Sequence, residues 1–375
     1  MNRTWQATAA AGTILLTLAL VGPVRGVRAQ SSTPKTAAQQ FKNIQVLKDI
    51  PADQLIPTMQ FIAVSLGVEC EFCHVEGAFD KDDKDKKKFA REMIRMMGAI
   101  NKDNFEGHRE VTCYTCHRGN SDPVGTPIIA DLVPKEAPGE MRKGGVVQAK
   151  LPSADQILDA YLKALGGAAA VDKVSSRVMK GKIEFGGGDF PIEIFNPQGK
   201  RISFMHTNDG DNVTAYDGTQ GWLVAPGRPA RDMHGADLDG AAMDADLHLA
   251  THFKQMFTET RVETGEKIGD HETYLVIGQR KDNTPVKLYF DQQSGLLLRL
   301  MRFGETALGR LPTQIDYADY RATDGVQVPY RWTLARANGR FTVQVNEMQQ
   351  NVPVDNGKFV KPPSPPPGQG KGPAH

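Results

Sequence analysis

Four cysteines, all that the 375-residue chain contains, stand in two identical settings: Cys70-Glu71-Phe72-Cys73-His74 and Cys113-Tyr114-Thr115-Cys116-His117. A C-x-x-C dithiol alone suits a redox pair or half of a zinc site. A disulfide explains the thiols but not the histidine after each pair, and a Cys₄ zinc site explains neither histidine. C-x-x-C-H is the attachment signature of haem c. Two thiols three residues apart add to the two vinyl groups, and the next residue lies beneath the iron as its proximal ligand. The spacing therefore predicts two covalent haems, held by Cys70, Cys73, Cys113 and Cys116, with His74 and His117 on the irons.

The sixth ligand separates electron transfer from chemistry at an open iron, so the elements preceding each motif matter. Residues 53–66 (DQLIPTMQFIAVSL) read as a helix capped by Asp53, with Ile56, Met59, Ile62, Ala63 and Leu66 on its apolar face. Residues 86–100 (KKKFAREMIRMMGAI) read as a second amphipathic helix with Phe89, Met93, Met96, Met97 and Ile100 on or near a buried stripe. Methionine at such positions also serves as core filler, and periodicity does not choose among Met93, Met96 and Met97. The pattern is an internal repeat of helix with Met, loop, then C-x-x-C-H. Met59 precedes Cys70 by eleven residues and Met93 precedes Cys113 by twenty. The longer second loop contains His108, an alternative iron ligand or a surface histidine.

Charge is balanced, with 45 basic and 44 acidic side chains. This argues against nucleic acid or an anionic membrane surface as the main partner. At the N-terminus, Arg3, the apolar run Thr13 to Val21 and the small-residue site Val27-Arg28-Ala29 read as a cleavable export signal over residues 1–29. The run is about half of the roughly 20 residues a membrane span needs, and no later stretch is apolar enough to read as one. The expected location is the periplasm or another extracytoplasmic space.

The segments FKNIQVLKDIPADQLIPTMQFIA, CEFCH, FAREMIRMMGAIN and VTCYTCHRGN, from about Phe41 to Asn120, resemble the cytochrome c subunit of photosynthetic reaction centres. That resemblance implies Met59 with His74 on the first iron and Met93 with His117 on the second. It also places a histidine near His108 that, in the family, ligates a distant fourth haem. The family pattern has four haems, whereas this chain has motifs for two, so half of the usual haem wire is missing.

The expected architecture is multidomain. A small all-α dihaem domain over residues 38–122 is followed by a Pro- and Gly-rich linker at 123–152. An α+β domain at 153–361 comes next, and then a proline-rich tail at 362–375. Ser153 can cap a helix (SADQILDAYLKALGG), and a second helix is expected near 245–257. From Arg177, segments such as RVMKGKIEF, FPIEIFNP, TYLVIGQR and QVPYRWTLAR alternate apolar and polar residues between Asn, Asp and Gly turns. This predicts a mostly antiparallel curved sheet. ALGGAAAVDKV, YDGTQGWLV, QQSGLLLR and NVPVDNGKF resemble the half-barrel domains of outer-membrane lipoprotein carriers. That likeness implies an apolar concavity for a lipid, a peptide or packed side chains. His206, His234, His248, His252 and His271 are scattered. His248 and His252 pair at i, i+4, and a metal site there wants Asp244 or Asp246 as a further ligand.

The expected function is electron transfer between redox partner proteins, including a membrane-bound photosynthetic or respiratory complex, and not enzymatic catalysis. Met/His ligation raises the haem potential and saturates the iron. Two other classes stay open: a dihaem peroxidase with one open iron, and a lipid- or lipoprotein-binding module with a redox-sensing cytochrome domain.

Overall fold

A computed structural model describes residues 34–125, 151–337 and 339–363. The export signal, most of the linker and nearly all of the tail expected above lie outside the described residues. No helix among the described residues is long and apolar enough to cross a membrane.

The first part is helical: α1 (Ala37–Gln40), α2 (Leu55–Leu66), α3 (Asp85–Asn104) and α4 (Cys113–His117). Asp53 is not the cap of α2. The helix is entered through a 3₁₀ turn at Ala52–Gln54, and Gln54 holds the N-cap position. Gly67 ends it in the left-handed region (φ 65), which glycine adopts at little steric cost. A Cβ there would lie 2.1 Å from the Gly119 carbonyl oxygen, and the Gly119 N–H donates to the Ser65 carbonyl at 2.9 Å. The helix preceding the first motif is thus packed directly on the segment leaving the second.

The second part begins with α5 (Ala154–Ala164), which Ser153 caps by accepting the Gln156 N–H at 3.2 Å, and a short α6 (Ala168–Val171). Thirteen strands follow in one antiparallel sheet: β1 (Ser176–Phe185), β2 (Gly188–Pro197), β3 (Arg201–Thr207), β4 (Gly210–Tyr216), β5 (Gly221–Val224), β6 (Arg231–Asp232), β7 (Phe257–Thr264), β8 (Thr273–Arg280), β9 (Pro285–Asp291), β10 (Leu297–Glu305), β11 (Arg310–Thr323), β12 (Val326–Arg336) and β13 (Gly339–Gln350). The chain starts at the middle of the sheet, runs out from β1 to the edge strand β6, re-enters at the opposite edge β7, and meanders back until β13 pairs with β1. The crossing between the edges is made by α7 (Gly235–Ala245) and α8 (Leu249–Met256). Helix α7 rests on β3, β4 and β10, and α8 on α5 and β7. The main core joins Ile157, Leu158 and Tyr161 of α5 and Phe253 of α8 to the inward faces of β8–β12.

The curved antiparallel sheet agrees with the expectation, with local differences. Strands β4, β6 and β7 and helix α7 were not anticipated, because they are short, Gly- and Asp-rich or strongly charged. The Asp291 turn separates β9 from β10, and there Asp291 accepts the Ser294 N–H and hydroxyl at 3.0 and 2.5 Å.

The described residues from Lys35 onward form one compact unit. The turn between β10 and β11 enters the helical part: Leu308 is buried with Phe61 of α2 and Met97 of α3. A Cβ on Gly309 would lie 2.3 Å from the Phe61 ring. Thr58, fully buried, donates its hydroxyl to the Gln54 carbonyl at 2.7 Å and accepts the Ala307 N–H at 3.3 Å. Arg109 adds an ion pair to Glu305 at 2.6 Å and a hydrogen bond to the Thr306 carbonyl. Leu308→Ala should therefore cost about 2–5 kcal/mol, read as a lowered denaturant midpoint of the haem-loaded protein. A change under about 0.5 kcal/mol, the range of ordinary surface sites, would show that the turn is not a packing anchor.

Candidate haem-attachment site

Each C-x-x-C-H motif sits on one tight helical turn. Cys70 opens a 3₁₀ turn (Cys70–Phe72) and Cys73 follows it, while Cys113, Cys116 and His117 lie on α4. All four thiols are free, with Cys70 and Cys116 exposed. Burial pushes the Cys73 and Cys113 thiols up from their usual range, although Lys84 and Lys86 pull Cys73 partly back. Among the described residues no group of three or more His, Cys, Asp or Glu side chains is placed to hold a metal ion, and the thiols do not assemble a Cys₄ centre.

The histidines are held alike. His74 Nδ1 lies 2.9 Å from the Phe79 carbonyl and His117 Nδ1 lies 3.0 Å from the Asn120 carbonyl. A carbonyl only accepts, so each Nδ1 is the donor, and in the neutral ring Nε2 keeps its lone pair. Such a bond orients an imidazole that ligates through Nε2. Burial, with Lys87, Arg91 and Lys84 nearby, lowers the His74 pKa despite its bond to Phe79 and favours the neutral ring. This geometry fits the proximal ligands of two c-type haems.

Helix α3 presents the clearest departure from the expected pattern. Its buried residues are Lys87, Arg91, Met97 and Asn101, while Phe89 (59% exposed), Met93 (41%) and Met96 (48%) face outward. The stripe expected to be buried is thus turned away from the protein core, except for Met97. Helix α2 buries Leu55, Thr58, Phe61 and Ser65, exposes Ile56 and Val64, and leaves Met59, Ile62, Ala63 and Leu66 of the expected stripe half-buried. The polar residues of α3 are buried because each is satisfied. Arg91 grips Asp82 through two N–H groups at 2.9 and 2.8 Å, and Lys87 reaches Asp82 at 3.0 Å and the Phe79 carbonyl at 2.9 Å. Asn43 joins Asp82 at 2.9 Å. Asn101 donates to the Val111 carbonyl at 2.7 Å and accepts the Val111 N–H at 2.9 Å, pinning the approach to the second motif. Phe79 therefore receives both His74 and Lys87, and the network stiffens the first histidine's support.

Outward apolar side chains beside both motifs, including Phe79 (54%) and Tyr114 (54%), leave an exposed apolar surface of the kind a bound macrocycle would cover. The donor set and this surface fit haem. Met93 and Met96 share the outward face, and Met97 is committed to the core. His108 stands exposed in the loop after α3. Its neighbour Arg109, which the sequence did not mark, ties that loop to Glu305. In the second part, His248 and His252 do meet, with rings 6.1 Å apart. Their nitrogens are used locally, however: His248 Nε2 faces the Val174 carbonyl at 2.9 Å and His252 Nδ1 faces Asp246 at 2.7 Å. Asp244 is taken by Arg302.

Residues 18–154 match the family model described as the photosynthetic reaction centre cytochrome C subunit. Among curated proteins, the reaction center cytochrome c subunit of Thermochromatium tepidum is 39% identical over 108 residues, covering 27% of this chain and 26% of that protein. The corresponding subunit of Roseobacter denitrificans is 38% identical over 96 residues, covering 22% and 25%. The match thus spans about a quarter of each relative's length. Among solved structures, a LolA superfamily protein from Nitrosomonas europaea is similar with a TM-score of 0.37 and 13% identity, covering 56% of this chain and 99% of that one.

The Asp82 network predicts a pH dependence. Bonds from Arg91, Asn43 and Lys87 hold the Asp82 carboxyl well below the usual carboxylate range. A depressed folded pKa contributes stability above the unfolded value of about 3.9, and that contribution drains away as pH falls below it. Asp82→Asn should be the less stable protein at pH 7. Its deficit against the unaltered chain should narrow steadily below about pH 4, as read from urea midpoints. A deficit that does not change with pH would mean that Asp82 acts through its shape and not its charge.

Proposed function

We propose that this chain is an extracytoplasmic dihaem c-type cytochrome that passes electrons between redox proteins. The observation that carries the reading is the paired arrangement of His74 and His117, each with Nδ1 satisfied by a carbonyl and Nε2 left free, one residue after a C-x-x-C turn. Haem c supplies a one-electron iron couple when bound. The chain's own residues do the rest. Cys70 and Cys73, and likewise Cys113 and Cys116, form the thioether anchors, and the Phe79 and Asn120 carbonyls fix the planes of the two proximal rings.

Met59 and Met93 are the proposed sixth ligands. Met93 is exposed on α3 and Met59 is half-buried on α2, and neither belongs to the buried cluster around Phe61, Met97 and Leu308, so both thioethers are free to serve as donors. Met96 shares the face of Met93 on α3 and is the competing donor, and His108 is a further one. Two thioether-ligated sites leave no coordination position for substrate, which favours electron transfer over peroxidase chemistry. The packing of Gly67 on Gly119 brings the two motif-bearing segments together, as hopping between neighbouring sites needs. The relatives are subunits of photosynthetic reaction centres, and the proposed partner class is accordingly a membrane-bound electron-transfer complex. Export is supported by the apolar run Thr13 to Val21. The proposed organisation is the haem domain at 38–122, a linker at 123–152 and the half-barrel at 153–361.

The test is haem content and ligation in the protein from a host that exports and matures c-type cytochromes. The unaltered chain should hold two haems, and Cys70→Ser with Cys73→Ser should hold one. Met93→Leu should abolish the methionine-to-ferric-iron band of one haem, while Met96→Leu should leave both. A single haem in the unaltered chain, or loss of the band on Met96→Leu alone, would overturn the count or the Met93 assignment respectively.

A further inference from the structure

The sheet has two edge strands, β6 and β7, and the chain treats them differently. Strand β6 is two residues long, and its Asp232 accepts from Lys361 of the C-terminal segment at 2.6 Å. Strand β7 is eight residues long (FTETRVET), without proline or lysine. Its one bulge lies at its start, between Phe257 and Glu259. Natural sheets blunt an open edge with short strands, proline, lysine or bulges, and residues 259–264 carry none of these. Glu259, Thr260, Arg261, Glu263 and Thr264 are exposed, while Val262 is half-buried against the main core.

The register with β8 fixes which backbone groups the open edge presents. The Gly265 N–H donates to the Thr273 carbonyl at 2.9 Å, and Glu263 lies opposite Leu275 and Arg261 opposite Ile277. The bonding direction alternates along an antiparallel strand, so Arg261, Glu263 and Gly265 turn their N–H and C=O groups to β8. Thr260, Val262 and Thr264 turn theirs outward, and among the described residues these groups have no partner. Side chains alternate as well. Val262 faces the core, and Glu259, Arg261 and Glu263 stand on the solvent face, where Arg261 Nε pairs with Glu263 at 2.9 Å.

This run of charges is complementary to itself in one register. When a second copy lays its β7 antiparallel on the first with Val262 facing Val262, Thr260 meets the partner's Thr264 and Arg261 meets the partner's Glu263. Glu259 then falls opposite the partner's Gly265, which has no side chain to repel it. Sliding the pair so that Arg261 faces Arg261 also sets Glu259 against Glu263. Sliding it further pairs Arg261 with Glu259 but brings the bulge after Phe257 into the ladder. Opposite charges directly across an antiparallel pair stabilise it, and like charges destabilise it.

We propose that β7 is the interface of a two-fold homodimer in which the sheets of two copies join edge to edge, with Arg261 of each copy opposite the partner's Glu263. The pairs Val262 with Val262 and Thr260 with Thr264 exchange both of their N–H···O bonds across the axis. A single strand is a small contact, so the dimer dissociates on dilution. This interface is independent of the haem assignment. Sedimentation equilibrium of the full-length haem-loaded protein from about 1 μM to about 1 mM tests it. The mass should rise with concentration from that of one chain toward that of two. Arg261→Glu alone and Glu263→Arg alone should each stay monomeric, because each sets like charges across the axis. An equimolar mixture of the two variants should regain the dimer, since their charges are then complementary. In the unaltered protein, amide exchange at Thr260, Val262 and Thr264 should slow at least tenfold between the two ends of the range. Four outcomes would overturn the proposal: an unaltered protein that stays monomeric, a dimer whose edge amides exchange at the monomer's rate, a dimer that survives Glu263→Arg, or a mixture of folded variants that does not associate. The exchange measurement on the unaltered protein decides the matter even if a variant does not fold.

Discussion

Helix α3 turns Lys87, Arg91 and Asn101 inward beside Met97, and the proposed cofactor site depends on that choice. Lys87, Arg91 and Asn101 are buried because Asp82, the Phe79 carbonyl and both backbone groups of Val111 satisfy them. Buried polar groups are tolerable only when paired in this way. With the core side taken by these polar contacts and by Met97, Phe89, Met93 and Met96 are left on the outside of the helix. The same contacts secure the histidines' surroundings, since Phe79 receives Lys87 and His74 together. An apolar surface for a macrocycle and the aim of its proximal ligand thus come from one network.

The remainder of the structure steadies this unit from a distance. The long meander ends its β10 strand at a turn whose Leu308 fills the gap between α2 and α3. The backbone of Ala307 is anchored on Thr58, one residue before Met59. The sheet therefore contributes to the core behind the first proposed iron site. In the proposed reading, rigid support of this kind would hold the Met59 and His74 side chains in place as the iron changes oxidation state.

Much of this was readable in the residues. The two C-x-x-C-H motifs, the methionine-bearing helices, the Ser153 cap and most of the strands from Arg177 onward all follow from spacing and alternation. The facing of α2 and α3 did not, because periodicity reports that an apolar stripe exists and not what covers it. A stripe reserved for a prosthetic group has the same signature as one reserved for protein core. The Leu308 anchor escaped notice because a short Thr-Ala-Leu-Gly turn reads as ordinary hairpin. The open edge at β7 was hidden because the alternation within a strand does not report which strand lies beside it.

The central claim is that both irons are closed by a histidine and a methionine and therefore only exchange electrons. A potentiometric titration of the full-length protein, followed in the visible and near-infrared and repeated under carbon monoxide, tests it most directly. The account predicts two low-spin components at raised potential, each with a methionine-to-ferric-iron band when oxidised and neither altered by carbon monoxide. A high-spin component that binds carbon monoxide would contradict it, and would assign that iron to substrate chemistry.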